Sequence, residues 1–439
     1  MITSAPIVAA IMSPIPMPSN NPPLLVIVPN IGIVVDAERL FMDIKAAEGL
    51  LCFAQLWPGR VRCLGRQMAA GSITYGRWFT RAELPFEVAV LSPDADGDEI
   101  AKHARDAALL LAGADLHLDL GVVEAMGTTP VVLVIEYTLR TRLEINRLSD
   151  AGRLKRLRTW LWLLWTERSR RKVLTAAAGI QANGWPAFAA YGPSNRASLL
   201  YFDTRLRSAD LIDREAASAK AAALERREPL RLAFSGRLER MKGADHLISI
   251  ARLLHAQDRA FSLDIYGEGS LRPAMVKEVD EAGLNASVRI HGPVDFDTVL
   301  VPAFKASVDL FLCCHPQGDP SCTYLETLGC AVPILGYLNE AWQGLLRFGP
   351  CGVGVAIGDD AAMVREIVRL DWDRMELARL TLGAVAVAES RSFERVYARR
   401  IDHLWSLWAQ RGERDRMHRP QTVSESRLLT RASAAAPTG

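Results

Sequence analysis

The stretch LRLAFSGRLERMKG, residues 230–243, joins an apolar run to a loop that contains glycine. Its first six residues are typical of a strand buried on both faces of a parallel sheet. Gly236 lets the chain turn after this strand, and Arg237 and Lys242 follow before a helical pattern begins. A strand, a cationic loop and a helix N-terminus in this order favour diphosphate binding, because backbone amides and cations attract anions. The alternative is a surface turn with solvated charges.

Similar apolar runs recur on both sides of this stretch. The strand candidates are 24–29, 60–64, 86–91, 114–120, 131–137, 179–182 and 198–203 in the first half, and 230–235, 261–267, 287–292, 308–314, 331–337 and 352–358 in the second. Most are continuous rather than alternating, as expected for parallel strands covered by helices. The sequence therefore predicts an α/β protein with two doubly wound domains, which agrees with a length of 439 residues.

Changes in composition divide the chain further. Residues 213–229 are polar and helix-prone, so the domain boundary is expected there. The predicted divisions are a flexible extension over 1–22, an N-terminal domain over 23–215, a C-terminal domain over 216–390, a last helix over 391–411 and a disordered tail over 412–439. The tail is rich in Arg, Ser, Thr and Ala and shows no hydrophobic periodicity.

The overall composition argues against several functions. A formal net charge of +2 predicts no general affinity for nucleic acid. The seven cysteines form no CxxC pair, which favours reduced thiols in the cytoplasm, and no apolar run is long enough to span a bilayer. The histidines form no HxxxH pair, so no metal site is expected. Asp94 and Asp96 have the DxD form of some metal-dependent transferases, but they lie in an acidic loop that we interpret as a solvated turn.

A second cluster of polar residues follows the strand candidate 308–314. Strands of open α/β sheets present ligands at their carboxyl ends, so residues 318–326 are predicted to line a site. Ser321 or Thr323 is expected to cap the next helix and leave amides free for phosphate. Glu326 is suited to accept hydrogen bonds from two ribose hydroxyls. The alternative is structural, since Thr323 and Glu326 have the spacing of a capping box.

Together, residues from about 230 to 370 resemble the donor half of family-4 retaining glycosyltransferases. The similarity comprises the GRL…KG loop, Tyr266 to Gly269, Val288 to Gly292, and the ending ETLGCAVP at 326–333. The resemblance implies the GT-B fold, in which two Rossmann-like domains face each other across a cleft and a last helix returns to the first domain. It also implies that Arg237 and Lys242 hold the donor diphosphate and that Glu326 binds the ribose.

The chain departs from the family pattern at two site positions. Gly318 stands where the family commonly has a glutamate near the donor sugar, and we expect the adjacent Asp319 to take that role. Glu136 follows the strand candidate 131–137 where members often have a histidine. It is predicted to orient a donor hydroxyl, to act as a base toward the acceptor, or to be a satisfied structural acid. Ala331 also replaces a usual glycine.

The remaining candidate residues are assigned by their position in loops after predicted strands. Those expected on the donor side are Gly236, Gly318, Ser321, Cys322, Thr323, Gly267, Gly269, Gly292, His315 and Gly32, and those on the acceptor side are Asn183 and Gly184. A lone histidine such as His315 is more often structural than functional.

The resemblance implies a glycosyltransferase that uses a nucleoside-diphosphate sugar, no further cofactor and a saccharide or lipid-linked acceptor. Retention of configuration follows from the resemblance alone. A bacterial pathway of surface polysaccharide or glycolipid synthesis is the preferred setting, by analogy. Two alternatives stay open: a nucleotide-sugar epimerase of the same fold, and a non-catalytic scaffold of a polysaccharide-assembly complex.

One basic and aromatic segment lies outside the family motifs. Residues 151–175 contain eight Arg or Lys residues and a single acid, Glu167, around the apolar run WLWLLW at 160–165. Tryptophan favours the headgroup region and cations favour anionic lipids. The segment therefore predicts a helix lying on the inner face of the cell membrane, with the tryptophans packed under the N-terminal domain as the alternative.

Overall fold

The computed structural model describes residues 22–73, 76–115, 121–149 and 151–418. In chain order the first half contains β1 (Leu24–Val28), β2 (Val34–Asp36), β3 (Arg39–Asp43), α1 (Ile44–Leu56), β4 (Arg60–Arg66), β5 (Gly76–Thr80), β6 (Glu87–Leu91), α2 (Gly97–His103), β7 (Leu109–Gly113), α3 (Val122–Ala125), β8 (Val131–Ile135), α4 (Leu139–Leu148), α5 (Arg153–Ala176), β9 (Gly179–Asn183), α6 (Gly184–Tyr191) and β10 (Ser198–Tyr201).

The second half contains α7 (Arg214–Ala223), β11 (Leu230–Ser235), α8 (Ala244–His255), β12 (Phe261–Tyr266), α9 (Arg272–Glu281), β13 (Val288–Ile290), α10 (Val301–Ser307), β14 (Leu310–Cys313), α11 (Thr323–Leu328), β15 (Ile334–Tyr337), α12 (Glu340–Leu345), β16 (Gly352–Val355), α13 (Asp360–Trp372), α14 (Arg374–Glu389) and α15 (Phe393–His418). The last helix continues through 412–418, where the sequence predicted disorder. The predicted extension over 1–22 lies outside the described residues except for its last position.

Two parallel sheets form the centres of the two halves. The first has the order β10-β9-β8-β7-β1-β4-β6, and the second has the order β13-β12-β11-β14-β15-β16. In each sheet the order of strands reverses once, between β7 and β1 and between β11 and β14. The carboxyl ends of strands at such a reversal diverge into a crevice that binds ligands. The loops after β11 and β14, singled out from the sequence, therefore lie at the crevice of the second sheet.

The strand that joins the sheet in this region lies before the one predicted over 114–120. The chain segment that joins the sheet is β7, Leu109–Gly113, and it lies between β1 and β8. Its residues LLLAG are apolar on both faces, as a central strand requires. Residues 114–120, by contrast, have the alternating pattern of a half-buried strand. In the structure Ala114 and Asp115 follow β7 in a loop, and 116–120 lie outside the described residues.

The sequence did not predict a small antiparallel sheet of β2, β3 and β5. Its strands are short, and β3 alternates exposed or half-buried residues with buried ones. Leu40 and Met42 point inward and join the core beneath α1. This small sheet covers the face of the N-terminal domain where α1 lies. Helix α1 in turn contributes a residue to the cleft described below.

The last helix connects the two domains. Phe393, Tyr397, Ile401 and Leu404 of α15 are buried in the core of the N-terminal domain. The amide of Phe393 donates to the carbonyl of Leu206, at 2.9 Å, on the first crossing between the domains. Because the chain crosses from one domain to the other twice, the two crossing segments run side by side and restrict how the cleft opens.

Candidate active site between the two domains

The loop after β11 turns sharply at two glycines. Gly236 has a φ of 154° and Gly243 a φ of 64°. A Cβ atom on Gly243 would lie 1.9 Å from the carbonyl oxygen of Cys314, so this position accepts only glycine. Lys242 precedes it in a short 3₁₀ turn, and α8 begins directly after it. The loop is thereby pressed against the end of β14, which brings the two predicted ligand loops together.

The loop after β12 packs against the loop after β11. A Cβ atom on Gly267 would lie 1.9 Å from the carbonyl oxygen of Gly236, and one on Gly269 would lie 2.4 Å from that of Leu238. The carbonyl of Gly292 accepts a hydrogen bond from the amide of Gly267 at 3.2 Å. The structure therefore gives Gly267 and Gly269, predicted to bind the donor, a backbone-packing role against the loop that follows β11.

Arg237 and Lys242, the two predicted phosphate ligands, have different environments. Lys242 is buried and forms an ion pair with the buried Asp319. Burial by itself would raise the pKa of Asp319, but the charge and hydrogen bond of Lys242 hold it below its ordinary value. Arg237 is exposed and makes no side-chain hydrogen bond or ion pair among the described residues. Arg237 is thus the cation that is free to meet an anionic ligand.

The loop between β14 and α11 is packed against both domains. Burial, followed by the charge of Lys242, lowers the pKa of His315 to about 3, so this histidine is neutral, and its Nδ1 atom has no hydrogen-bond partner in the described structure. A Cβ atom on Gly318 would lie 3.3 Å from the Thr141 hydroxyl oxygen and 3.4 Å from the Cβ of Glu340. A glutamate at 318 would therefore require Thr141 or Glu340 to move.

The capping box expected at the start of α11 is not formed. The helix begins at Thr323 without a side-chain capping bond, and the Thr323 hydroxyl lies 3.2 Å from that of Ser321. The carboxylate of Glu326 instead forms an ion pair with Arg205, whose Nε lies 3.3 Å away. The Arg205 guanidinium also stacks over the ring of Phe296, 4.2 Å from its centroid. Glu326 therefore does not cap the helix, and one of its carboxylate oxygens pairs with Arg205 instead.

The N-terminal domain contributes Glu136 at the end of β8. The backbone amides of Glu136 and Tyr137 both donate to the carboxylate of Asp115, at 2.9 Å each, and Arg142 also binds Asp115, at 2.6 Å. The carboxyl group of Glu136 itself makes no hydrogen bond within the described residues. It is therefore not a satisfied structural acid.

Burial raises the pKa of Glu136 to about 8, and the charges of Asp115, Asp319 and Asp203 act in the same direction, opposed by Lys45. These carboxylates come from both domains. Glu136 therefore holds a proton near neutral pH in a cleft rich in negative charge, as a general acid or base does.

Lys45 and Asp203 also lie in the cleft and were not predicted. Lys45 in the first turn of α1 forms an ion pair with Asp203, at 2.5 Å, and donates to the thiol of Cys322, at 2.7 Å. Asp203 follows β10, so its place after a strand was a signal in the sequence. Lys45 had no such signal, since it was brought here by the packing of α1. Cys322, predicted on the donor side, thus contacts the opposite domain.

Three other predicted positions have structural contacts. A Cβ atom on Gly32 would lie 2.4 Å from the carbonyl oxygen of Arg66, so this glycine packs inside the N-terminal domain. The side chain of Asn183 accepts a hydrogen bond from the amide of Asp203 at 2.9 Å. Gly184 has a φ of 80°, and a Cβ atom there would lie 2.4 Å from Pro320. Gly184 therefore lies at the contact between the domains.

No group of three or more His, Cys, Asp or Glu residues suited to hold a metal ion occurs in the part of the chain that the structure describes. Of the DxD pair, Asp96 caps α2 by accepting from the amide of Glu99 at 2.9 Å. This supports the interpretation of that loop as a turn.

Comparison with known proteins agrees with this geometry. Residues 229–371 match the family model of glycosyl transferases group 1. The similarity to this family thus covers most of the C-terminal domain and about a third of the chain. A curated relative is the GtfA subunit of the UDP-N-acetylglucosamine–peptide N-acetylglucosaminyltransferase of Streptococcus gordonii, 28% identical over 182 residues that cover 40% of this chain and 35% of the relative. Another is the D-inositol 3-phosphate glycosyltransferase of Salinispora tropica, 28% identical over 180 residues, which are 39% of this chain and 37% of the relative.

Solved structures match nearly the whole chain. Anabaena HepE in complex with UDP has a TM-score of 0.60 at 15% identity, with 88% of this chain and 99% of that chain covered. Sucrose-phosphate synthase of Thermosynechococcus elongatus has a TM-score of 0.59 at 14% identity, with 88% and 100% covered. At these identities the similarity shows the fold, and the predicted GT-B architecture is confirmed. The curated relatives, by contrast, are matched over little more than a third of their length.

We expect substitutions of the two loop cations to differ in their effects. Arg237→Ala should weaken nucleoside-diphosphate binding by about one to two decades, because a charge-assisted hydrogen bond contributes about 1.5–3 kcal/mol, and should leave stability unchanged. Lys242→Ala should also lower the free energy of unfolding by about 3–5 kcal/mol, because it leaves Asp319 buried without a partner. The double variant Lys242→Ala/Asp319→Ala should recover part of that stability.

Titration calorimetry with UDP and urea denaturation measure these two effects. Unchanged UDP affinity in Arg237→Ala would remove this arginine from the donor site. An unchanged urea midpoint in Lys242→Ala would show that the buried pair carries no stability.

Proposed function

We propose that this chain is a retaining glycosyltransferase that moves a hexose-type sugar from a nucleoside-diphosphate donor to a saccharide or lipid-linked acceptor. We place it in bacterial surface polysaccharide or glycolipid synthesis. The observation that carries the proposal is the free Arg237, which lies at the crevice of the second sheet. Its charge acts on Asp319 of the Lys242–Asp319 pair and on Tyr137, the residue after Glu136 in the first domain. The family match over residues 229–371 and the curated relatives support a transferase.

In this proposal the donor lies across the carboxyl ends of β11 and β14. Arg237 and Lys242 bind the diphosphate, Glu326 binds the ribose and Asp319 lies near the sugar. Uridine nucleotides are the first donors to test, since HepE was crystallised with UDP and with UDP-glucose. Arg237 and Lys242 would stabilise the departing diphosphate without a divalent ion, because fixed cations balance the charge that develops on it.

Two roles remain for Glu136. As a base it would accept the proton of the acceptor hydroxyl, and as an orienting residue it would hold a donor hydroxyl. Asp115 and Arg142 fix the loop that carries Glu136 in either role. The position at the end of a central strand, facing the donor loop across the cleft, supports a contact with the donor sugar or the acceptor hydroxyl.

A nucleotide-sugar epimerase is a second candidate, and one observation favours it. An epimerase of this fold would need paired carboxylates near the sugar carbon, and the charges of Asp203 and Asp319 both act on Glu136. Carboxylates from other elements thus take the place of the glutamate that is absent at position 318. The two candidates differ in whether the sugar leaves the nucleotide.

Incubation with a panel of UDP-, GDP- and ADP-sugars, with and without short-chain lipid-linked sugars, tests the proposal. We expect release of nucleoside diphosphate only when an acceptor is present, with an α-linked product from an α-linked donor. The rate should be the same in EDTA as in magnesium. An epimerised nucleotide sugar in the absence of acceptor would identify an epimerase. Donor binding without turnover in every combination would support a scaffold.

The raised pKa of Glu136 gives a pH test. If Glu136 is the base, turnover should rise with pH up to about 8, and Glu136→Gln should lower kcat by about two decades or more and remove that limb. If Glu136 orients a donor hydroxyl, the glutamine variant should keep most of its activity, because an amide still accepts a hydrogen bond.

Stability gives a readout independent of activity. A folded-state pKa of about 8, above the ordinary 4.5, means that the folded protein binds more protons than the unfolded chain between these values. Stability must therefore fall as pH rises through this window. Glu136→Gln should flatten that decline in melting temperature, whereas Glu144→Gln, an exchange of an acid outside this cluster, should not.

We also propose that α5 binds an anionic membrane surface. Trp160, Trp162 and Trp165 are 43%, 53% and 77% exposed, so they do not pack under the domain. The helix is held instead by Leu163, Val173 and Leu174, which are buried. Apolar side chains exposed on several sides of one helix, among arginines and lysines, fit the headgroup region of a bilayer.

Two members of the segment differ from the sequence interpretation. Arg170 is buried and donates to the carbonyl of Ala114 at 2.6 Å, so it is not part of the cationic surface. Glu167 is buried and pairs with Arg171 at 2.8 Å. The exposed charge of the segment is therefore cationic. No helix among the described residues has the length and apolar character required to cross a bilayer.

Liposome flotation tests the membrane contact. The protein should bind vesicles that contain anionic lipid, dissociate in high salt, and lose binding when the three tryptophans are replaced by Ala. Trp372→Ala, which removes an exposed tryptophan of the other domain, is the matched control and should bind normally. Equal binding to neutral vesicles, or formation of a tryptophan-dependent dimer without flotation, would overturn the proposal.

A further inference from the structure

A groove between α4 and α5 begins beside the exposed apolar surface. A cavity of about 420 Å³ lies between these helices, and Leu143, Leu157 and Trp160 are among the residues that line it. Leu157 and Trp160 are themselves 53% and 43% exposed. This end of the groove is thus apolar and open on the side that we propose faces the membrane.

A second cavity carries the groove to the donor loop. It has a volume of about 300 Å³ and shares Arg147 and Arg156 with the first. Arg240, which lies three residues after Arg237 in the loop that follows β11, is the residue of the C-terminal domain that lines this cavity. The two cavities therefore form a path from the apolar face of α5 to the proposed diphosphate loop of the other domain.

The cations along this path are available to a ligand. Within the described structure, the side chains of Arg147 and Arg240 make no hydrogen bond or ion pair, and both are exposed. The guanidinium of Arg156 donates only to the carbonyl of Arg147, at 3.1 Å. Glu144 is the one acid among the described residues that line the two cavities, and it already pairs with Arg140 at 3.0 Å.

We infer that this groove binds the acceptor, and that the acceptor is an amphiphile whose sugar is joined to a hydrocarbon chain through a phosphate or diphosphate. The inference rests on the proposed transferase function and specifies its acceptor. The hydrocarbon chain lies on Leu157 and Trp160, and the phosphate lies between Arg147, Arg156 and Arg240. Guanidinium groups match phosphate oxygens in pairs, so three of them select this headgroup over a neutral one.

This arrangement places the acceptor sugar next to the donor. A sugar attached to a phosphate at Arg240 extends toward Arg237 and the cleft that contains Glu136. A neutral glycolipid or a free oligosaccharide lacks the anionic group or the chain, and so would use only part of the groove. The acceptor hydroxyl is in this way brought to the donor by contacts remote from the reacting atoms.

Binding of farnesyl diphosphate, a soluble amphiphile of this class, tests the inference without requiring turnover. We expect calorimetry to show binding to the full chain and much weaker binding of farnesol and of inorganic pyrophosphate. Arg147→Gln/Arg156→Gln should weaken farnesyl diphosphate binding by about tenfold or more. The control Arg158→Gln/Arg168→Gln removes the same charge from exposed positions of α5 and should change binding by less than about twofold.

Two further variants separate this site from the donor site. Arg147→Gln alone alters an exposed side chain without partners and should weaken binding even if the double variant is unstable. Arg237→Ala should weaken UDP but not farnesyl diphosphate. Equal losses in the two double variants, equal binding of farnesol or pyrophosphate, or loss of farnesyl diphosphate in Arg237→Ala would each overturn the groove. Failure of UDP to bind any form would reject the donor site and leave the groove result standing.

Discussion

The buried ion pair between Lys242 and Asp319 joins the loop that follows β11 to the loop that follows β14. Each residue follows a different strand at the point where the strand order of the second sheet reverses. Two buried charges cost free energy to desolvate, and the pair survives because each partner satisfies the other. Gly243 makes this pairing possible, since any side chain there would collide with the end of β14. The pair in turn occupies Lys242 and leaves Arg237 and Arg240 of the same loop without a side-chain partner among the described residues.

Other charged side chains of the cleft also form ion pairs. Lys45 pairs with Asp203, and Arg205 pairs with Glu326, so cations of the first domain and of the crossing segment meet anions on both sides. Glu136 is the exception, because its carboxyl group has no partner among the described residues and lies close to other acids. A group left neutral by its surroundings is positioned to exchange a proton during a reaction. Among the described residues of the cleft, Arg237 and Glu136 thus differ from these pairs, because neither side chain has a hydrogen-bond or ion-pair partner.

In the proposed function, the exposed surface of α5 and the groove beside it would connect the cleft to a bilayer. Trp160 takes part in both, because it is exposed on the helix and lines the first cavity. The groove then passes Arg147 and Arg156 and ends at a loop of the C-terminal domain. An acceptor held there bridges the two domains. Both domains would then contribute to its binding, which links closure of the cleft to occupancy of the groove.

The sequence by itself determined the two parallel sheets, the turn over 236–243 and the position of Glu326 after β14. Continuous apolar runs identify most of the buried strands, and the glycine and cation spacing of 236–243 reflects a local turn. The sequence did not identify β7, because LLLAG looks like part of a helix preceding it, and it missed the short antiparallel strands, whose pairing is decided by distant residues.

Only the tertiary structure decided how the site residues are combined. Thr323 and Glu326 have the spacing of a capping box, yet Arg205, 121 residues away, takes the carboxylate. Lys45 enters the cleft because α1 packs beside it, and Asp319 is neutralised by a lysine on another strand's loop. A helical sequence pattern likewise does not show whether the three tryptophans of α5 are buried or exposed. Local sequence sets backbone turns and burial periodicity, whereas ion pairs and exposed faces depend on which distant elements the fold brings together.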